Sequence, residues 1–405
     1  MESEWNYTES DIAQKFPFFN VLKDGRVHIF TSLFEKSPPS NNPISIPNVE
    51  TKDVQISTNV SARLFRATST DDDISTTEKH KLPLLFYVHG GGFCMQSAFS
   101  MEYTRFVSLV VAEANIMAIS VEYSLFPKQH IPACYDDCWA ALQWVASHCK
   151  GNGPESWINN YADLTRIFVG GDSAGGNISY NLLTKVGYMG LSEGAKIEGM
   201  ILIHPFFWEG EKMWMYMCPT NEGPRDRRLI PDVEDLARIA CGRVLVLVAE
   251  KDVLYDAGNN YVDELIKSGW KGKMVEIMVN KDKEHCFHLY DYLDPEAFAI
   301  RRGMSSFINH QDHNTGVSQL GQDRWFKVVT VAYVGFWEYV MRDKVTQEVH
   351  KHGRGDDSFS WLGRMFSGFA NRMCGRELHF FGSLSRLALI LMVLVLTTSN
   401  VQAAP

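Results

Sequence analysis

From Leu82 onward the sequence alternates between short apolar runs and longer stretches with helical spacing, and this alternation restricts the fold more than any other feature. Leu82 to Val88 (LPLLFYV), Ile116 to Val121 (IMAISV), Arg166 to Gly170 (RIFVG), Ile197 to Ile203 (IEGMILI) and Arg243 to Ala249 (RVLVLVA) read as buried strands, and Met274 to Val279 continues the series. Between them, Thr104 to Ala114, Ala133 to Cys149 and Ala257 to Lys267 place apolar residues at helical intervals. A strand that is apolar at nearly every position has no wet face, so it belongs in a sheet covered by helices on both sides. The expectation is an α/β fold with a mostly parallel central sheet flanked by helices. In such sheets reactive groups gather at the carboxyl ends of the strands.

The chain is 405 residues long, enough for one large core, or one core with a smaller appended unit. Its formal charge of −9 argues against a nucleic-acid partner, because phosphate binding needs a basic face. The eight cysteines show no paired CxxC spacing with a histidine pair, so no structural zinc site is expected. Met1 to Phe19 is acidic and polar, without the apolar run of a secretory signal. The thiols are therefore expected to be reduced, in a protein of the cytosol or of cytosol and nucleus.

Pro38 to Pro43 reads as a turn-rich loop, and Thr68 to Lys81, with Asp71, Asp72 and Asp73, as an exposed polar one. The strand–helix series stops near Ile308, and residues 310–405 form a C-terminal extension to which the sequence gives no role. Within it, the apolar run 387–396 (LALILMVLVL) offers the chain's one route to a membrane contact, but it is short for a span.

The motifs with chemical content lie at the ends of expected strands. Gly171-Asp172-Ser173-Ala174-Gly175 follows one strand and precedes a helix. A serine on so sharp a turn projects its hydroxyl above the sheet, and small neighbours let the backbone bend. Upstream, His89-Gly90-Gly91-Gly92-Phe93 follows the Leu82 to Val88 strand. The N–H groups of Gly90, Gly91 and Gly92, with that of Ala174, are candidates to hold a developing oxyanion. A carboxylate and a base should follow the serine in that order. Asp252 closes the strand ending at Ala249, with Asp256 its nearby competitor. For the base, Glu284 to His288 (EHCFH) offers His285, with His288 as the alternative. Asp136 and Asp137 open the Ala133 helix; neighbours there point in different directions, so they are read as structural. No metal or organic cofactor is called for by this constellation.

These motifs together resemble the plant carboxylesterases of the hormone-sensitive-lipase-like group, which includes 2-hydroxyisoflavanone dehydratases and the gibberellin receptors. The resemblance runs from about Lys15 to Asn309. It rests on HGGGFCMQSAFS (His89 to Ser100), VEYSLFP (Val121 to Pro127), IPACYDDCWAALQWVASH (Ile131 to His148), GGDSAGGN (Gly170 to Asn177), RVLVLVAEKD (Arg243 to Asp252), SGWKG (Ser268 to Gly272) and EHCFH (Glu284 to His288). It implies an α/β-hydrolase fold with a small helical cap. Residues 1–49 would be an N-terminal cap segment and 50–309 the catalytic domain, with a cap insertion at about 206–240.

By the same resemblance Ser173, Asp252 and His285 would form a triad, and Gly90, Gly91, Gly92 and Ala174 an oxyanion hole. The implied activity is hydrolysis of small carboxylic esters, with a small ester or flavonoid-like molecule as substrate. A dehydratase-like lyase using the same pocket is the first alternative, and a non-catalytic hormone-type receptor the second. The receptors of this group lack the histidine base, whereas this chain has both His285 and His288. Two departures stand out. The family usually shows Arg after Glu-Tyr and Pro-Glu-His a little further on, whereas the run from Glu122 to His130 lacks both the arginine and the glutamate. The segment from Trp208 to Trp214 is also shorter than the family's, which implies a reshaped cap.

Overall fold

A computed structural model describes residues 7–30, 46–68, 81–191 and 194–310. The loop at Pro38, most of the polar patch before Lys81 and the whole extension beyond His310, including the run 387–396, lie outside the described residues. Among the described residues no helix is long and apolar enough to cross a membrane.

Three short strands come first, β1 (Ile12–Lys15), β2 (Phe19–Leu22) and β3 (Val27–Ile29). Then follow β4 (Val49–Gln55), β5 (Ser61–Ala67), β6 (Leu82–Val88), α1 (Met101–Ala114), β7 (Met117–Glu122) and α2 (Ala133–Ala146). The middle of the chain supplies α3 (Ser156–Tyr161), β8 (Ala162–Asp172), α4 (Ala174–Met189) and β9 (Ile197–Ile203). The rest is α5 (Lys212–Met217), α6 (Val233–Arg238), β10 (Arg243–Ala249), α7 (Tyr255–Lys267), β11 (Met274–Asn280), α8 (Phe287–Tyr290) and α9 (Pro295–Asn309).

Eight strands make one sheet in the order β11-β10-β9-β8-β6-β7-β5-β4. From β11 to β7 all neighbours are parallel, whereas β5 pairs antiparallel with β7 and with β4. The apolar runs of the sequence are thus the parallel part of the sheet, and their burial pattern gives the reason. On β6, Leu84, Phe86 and Val88 enter one core and Leu85 and Tyr87 the other. On β10, Val244, Val246 and Val248 divide from Leu245 and Leu247 in the same way. Period two sends alternate side chains to opposite faces, and each face is roofed by helices. Leu142, Leu183 and Val262 of α2, α4 and α7 close the first core, and Val107, Val110 and Met304 of α1 and α9 close the second.

The N-terminal strands form a separate antiparallel sheet, β1-β2-β3. It meets α5: the rings of Phe16 and Phe19 lie 5.0 and 5.9 Å from that of Tyr216. In turn α5 is held down by Trp214, fully buried, and by the Ile131 N–H, which donates to Met217 O at 3.0 Å. Of the residues expected to form a helical cap, those at 206–240 carry the helices α5 and α6, whereas the N-terminal ones carry the sheet β1-β2-β3.

Candidate active site

The turn that carries Ser173 shows why its flanking residues are glycines. Ser173 sits between β8 and α4 at φ 51°, ψ −118°, in the positive-φ region that costs a side-chain-bearing residue about 1–3 kcal/mol. To bring the helix start so close to the strand end, both must press on the end of β6. A Cβ at Gly171 would fall 2.3 Å from Val88 O, and one at Gly175 2.0 Å from the same oxygen. Only hydrogen fits at either place. The bent backbone is then held by hydrogen bonds, from Ser173 N–H to Ile203 O at 2.9 Å and from Phe206 N–H to Ser173 O at 3.0 Å.

His285 arrives from the loop after β11 and Asp252 from the loop after β10. Those loops are tied to each other, since Glu250 N–H donates to Asn280 O and Lys251 N–H to Lys283 O. As a result His285 Nε2 lies 2.9 Å from Ser173 Oγ, and His285 Nδ1 lies 2.6 Å from Asp252 Oδ2. The Asp252 side chain is only 1 % exposed, and its other oxygen accepts the Leu254 N–H at 2.9 Å. Burial pushes this carboxyl up, but the hydrogen bond from His285, its charge and the Leu254 N–H together outweigh burial and hold it below its ordinary value. An ionised Asp252 must take its hydrogen from Nδ1, which leaves Nε2 bare to accept the Ser173 hydroxyl.

The structure separates the alternatives as well. His288 is fully buried on α8, edge-on to Phe106 at 4.7 Å, and burial drives its protonation far down. Asp256 is in the first turn of α7, and Asp252 alone of the two meets His285. Asp137 accepts the Ser124 N–H at 2.9 Å, while exposed Asp136 pairs with Lys185 at 3.4 Å, so these carboxylates serve different neighbours.

The glycine loop corrects one expectation. Gly90 N–H is already bonded, donating to the Tyr103 hydroxyl at 2.8 Å, so it is not available to an oxyanion. Among the described residues the N–H groups of Gly91, Gly92 and Ala174 have no protein acceptor. Gly91 and Gly92 have φ of 104° and 59°, and a Cβ at Gly92 would fall 2.7 Å from the Phe18 ring of the N-terminal sheet segment. The N-terminal segment and the glycine loop are therefore in direct contact.

Two supports have no separate signal in the motifs. Asp172, at the x position before the serine, is 1 % exposed and accepts hydrogen bonds from Tyr87 and Tyr103. Burial raises its carboxyl, and the two tyrosines offset that only in part. His204, just past β9, accepts the Cys286 N–H on Nδ1 at 3.0 Å and so braces the residue after His285. Burial lowers it to about 4, with the nearby charge of His285 acting in the same direction. One ligand atom each from His204, His285 and Cys286 fall within 4.8 Å of one another, a spacing a metal could use. His204 Nδ1 is occupied, however, both His285 nitrogens are engaged in the Ser–Asp line, and burial holds the Cys286 thiol protonated. That donor set does not fit a metal ion.

A serine on a strand–helix turn, above a parallel sheet and in line with a histidine and a buried carboxylate in that chain order, defines the class: this is an α/β-hydrolase. A family model described as alpha/beta hydrolase fold matches residues 85–216 and 207–289. Among curated proteins the chain is 35% identical to "Probable carboxylesterase 13" of Arabidopsis thaliana, over 74% of this chain and 98% of that one. It is equally 35% identical to "2-hydroxyisoflavanone dehydratase" of Glycine max, over 73% of this chain and 98% of that one. The chain belongs to this family of plant carboxylesterases within the alpha/beta hydrolases. The solved structure of carboxyl esterase 2 from the fungus Tuber melanosporum shares the fold, with a TM-score of 0.52 and 22% identity over 64% of this chain and 86% of that one.

Proposed function

We propose that the chain is a serine carboxylesterase that hydrolyses small carboxylic esters through an acyl-enzyme. The observation that supports this most is the unbroken line from Ser173 Oγ through His285 to Asp252, at 2.9 and 2.6 Å, beside N–H groups with no protein acceptor. In the first half-reaction Ser173 Oγ attacks the ester carbonyl carbon as His285 Nε2 takes its proton. Asp252 fixes the imidazole tautomer and stabilises the imidazolium. The carbonyl oxygen, now negative, receives N–H groups from Gly91, Gly92 and Ala174. Each such donor is worth about 10²–10³ in rate where it has been measured in other enzymes. Collapse expels the alcohol, which leaves with the proton from His285. Water then gives a proton to the same nitrogen, attacks the acyl carbon and frees the carboxylic acid, returning the proton to Ser173.

A lyase reading has one observation in its favour: relatives named 2-hydroxyisoflavanone dehydratase match as well as those named carboxylesterase. Elimination would use His285 as base and the same N–H groups on a ketone oxygen. Parallel assays with p-nitrophenyl acyl esters and with 2-hydroxyisoflavanones separate the two. Ester turnover that disappears in Ser173→Ala is expected; elimination with negligible ester turnover would overturn the esterase assignment.

A further inference from the structure

Directly behind the nucleophile is a buried polar cluster that the ester-cleavage steps leave unused. Asp172 Oδ1 accepts the Tyr87 hydroxyl at 2.8 Å, and Oδ2 accepts the Tyr103 hydroxyl at 2.7 Å. Both tyrosines are buried, at 0 % and 1 % exposure. Their hydrogen bonds to the carboxylate are thus close to equivalent. Oδ2 also receives the Cys286 thiol at 3.6 Å, and at the tyrosines themselves one difference bears on the loop. The Tyr103 oxygen also accepts the Gly90 N–H at 2.8 Å, and no such bond reaches Tyr87.

Gly90 opens the loop whose next two N–H groups lack protein acceptors. Its backbone rests on the cluster: a Cβ there would fall 2.5 Å from Asp172 Oδ2 and 3.1 Å from the Tyr103 oxygen. A buried N–H that loses its partner carries its full desolvation penalty, so the loop would turn to find another acceptor. Gly91 and Gly92 lie at positive φ, where small rotations redirect N–H groups, and they follow Gly90 directly.

We infer that Tyr103 is a positioning residue for the oxyanion loop. Its hydroxyl, anchored on Asp172, holds the Gly90 N–H and thereby sets the direction of the Gly91 and Gly92 N–H groups. Tyr103 touches no reacting atom; it acts through Gly90. The inference rests on the ester-hydrolysis reading of the same site.

The matched pair Tyr103→Phe and Tyr87→Phe provides the test, because each variant removes one hydroxyl from the same buried carboxylate. Thermal unfolding should show both variants destabilised but folded, Tyr103→Phe the more so because it also frees the Gly90 N–H, and kcat is compared below both transitions. With p-nitrophenyl acetate, Tyr103→Phe is expected to lose at least about tenfold in kcat with KM little changed, the pattern of an interaction realised in the transition state. Tyr87→Phe should keep kcat to within about threefold. Equal losses in the two variants, or no loss in either, would overturn the inference. A second arm needs no variant: single-amide hydrogen exchange on the wild-type protein should find Gly90 protected and Gly91 and Gly92 fast. Gly90 exchanging as fast as Gly91 would also overturn it. Absence of ester turnover by the wild-type protein would instead count against the esterase reading, and the exchange rates would still decide the Gly90–Tyr103 link.

Discussion

Replacing Asp252 with asparagine changes little in shape and should nonetheless remove almost all activity. The carboxylate serves two donors at once, the Leu254 N–H on Oδ1 at 2.9 Å and His285 Nδ1 on Oδ2 at 2.6 Å. Asparagine has a single acceptor oxygen. If that oxygen keeps the Leu254 N–H, the amide NH2 faces Nδ1, which must then accept rather than donate. The ring hydrogen moves to Nε2, 2.9 Å from Ser173 Oγ, and the serine faces a nitrogen that cannot take its proton. The side chain is 1 % exposed, so water cannot stand in for the lost oxygen. A wrong tautomer of this kind costs about 10⁴ in kcat, or about 5 kcal/mol of barrier. The assay is steady-state hydrolysis of p-nitrophenyl acetate near neutral pH, with Asp256→Asn alongside as the control. Asp252→Asn retaining more than about a tenth of wild-type kcat would refute the reasoning, and so would an equal fall in Asp256→Asn.

Other consequences are as direct. Gly175→Ala would place a methyl group 2.0 Å from Val88 O, so a stability loss of about 3 kcal/mol or failure to fold is expected; unfolding in urea unchanged from wild type would contradict it. His204 has its protonation lowered to about 4 by burial, so between its ordinary value near 6.5 and that point the unfolded chain binds the proton more readily. Its contribution is therefore complete above about pH 6.5 and is lost as pH falls towards 4, up to about 3 kcal/mol; urea midpoints should fall steeply over that window and less steeply in His204→Asn. An unchanged slope in the variant would contradict this. Phe18→Ala removes the ring against the Gly92 loop, and should improve kcat/KM for hexanoyl over acetyl esters by about tenfold; an unaltered chain-length preference would count against a pocket wall there.

What could be read in the sequence follows from how many neighbours each residue needs. Leu82 to Val88, Ile197 to Ile203 and Arg243 to Ala249 were readable to the residue, because strands covered on both faces are apolar at nearly every position. The strands before Leu82 were not. In β4 (VETKDVQ) no position is buried and half-exposed residues mix with exposed ones, and β1 (IAQK) is short and mostly exposed, so neither stands out from polar loop. Ser173 was legible from its turn, because the close approach to Val88 O on β6 leaves its mark as glycines on both sides of the serine. His285 and His288 lie three residues apart in one motif, and only the turn of α8 sends His288 into the core and leaves His285 facing the serine. Three consecutive glycines likewise look alike as letters; Gly90 is set apart by Tyr103, thirteen residues on and in another element. Asp172 and His204 stayed hidden for the same reason, since their partners Tyr87, Tyr103 and Cys286 are distant along the chain.

The central claim is that Ser173 is the nucleophile and His285 its base. Incubating the full-length protein with a fluorophosphonate and mapping the adduct by peptide mass spectrometry tests it most directly. One adduct is expected, on Ser173, absent in Ser173→Ala and formed far more slowly in His285→Ala, with ester hydrolysis lost in proportion to labelling. An adduct on another residue, or ester hydrolysis by Ser173→Ala at the wild-type rate, would contradict it.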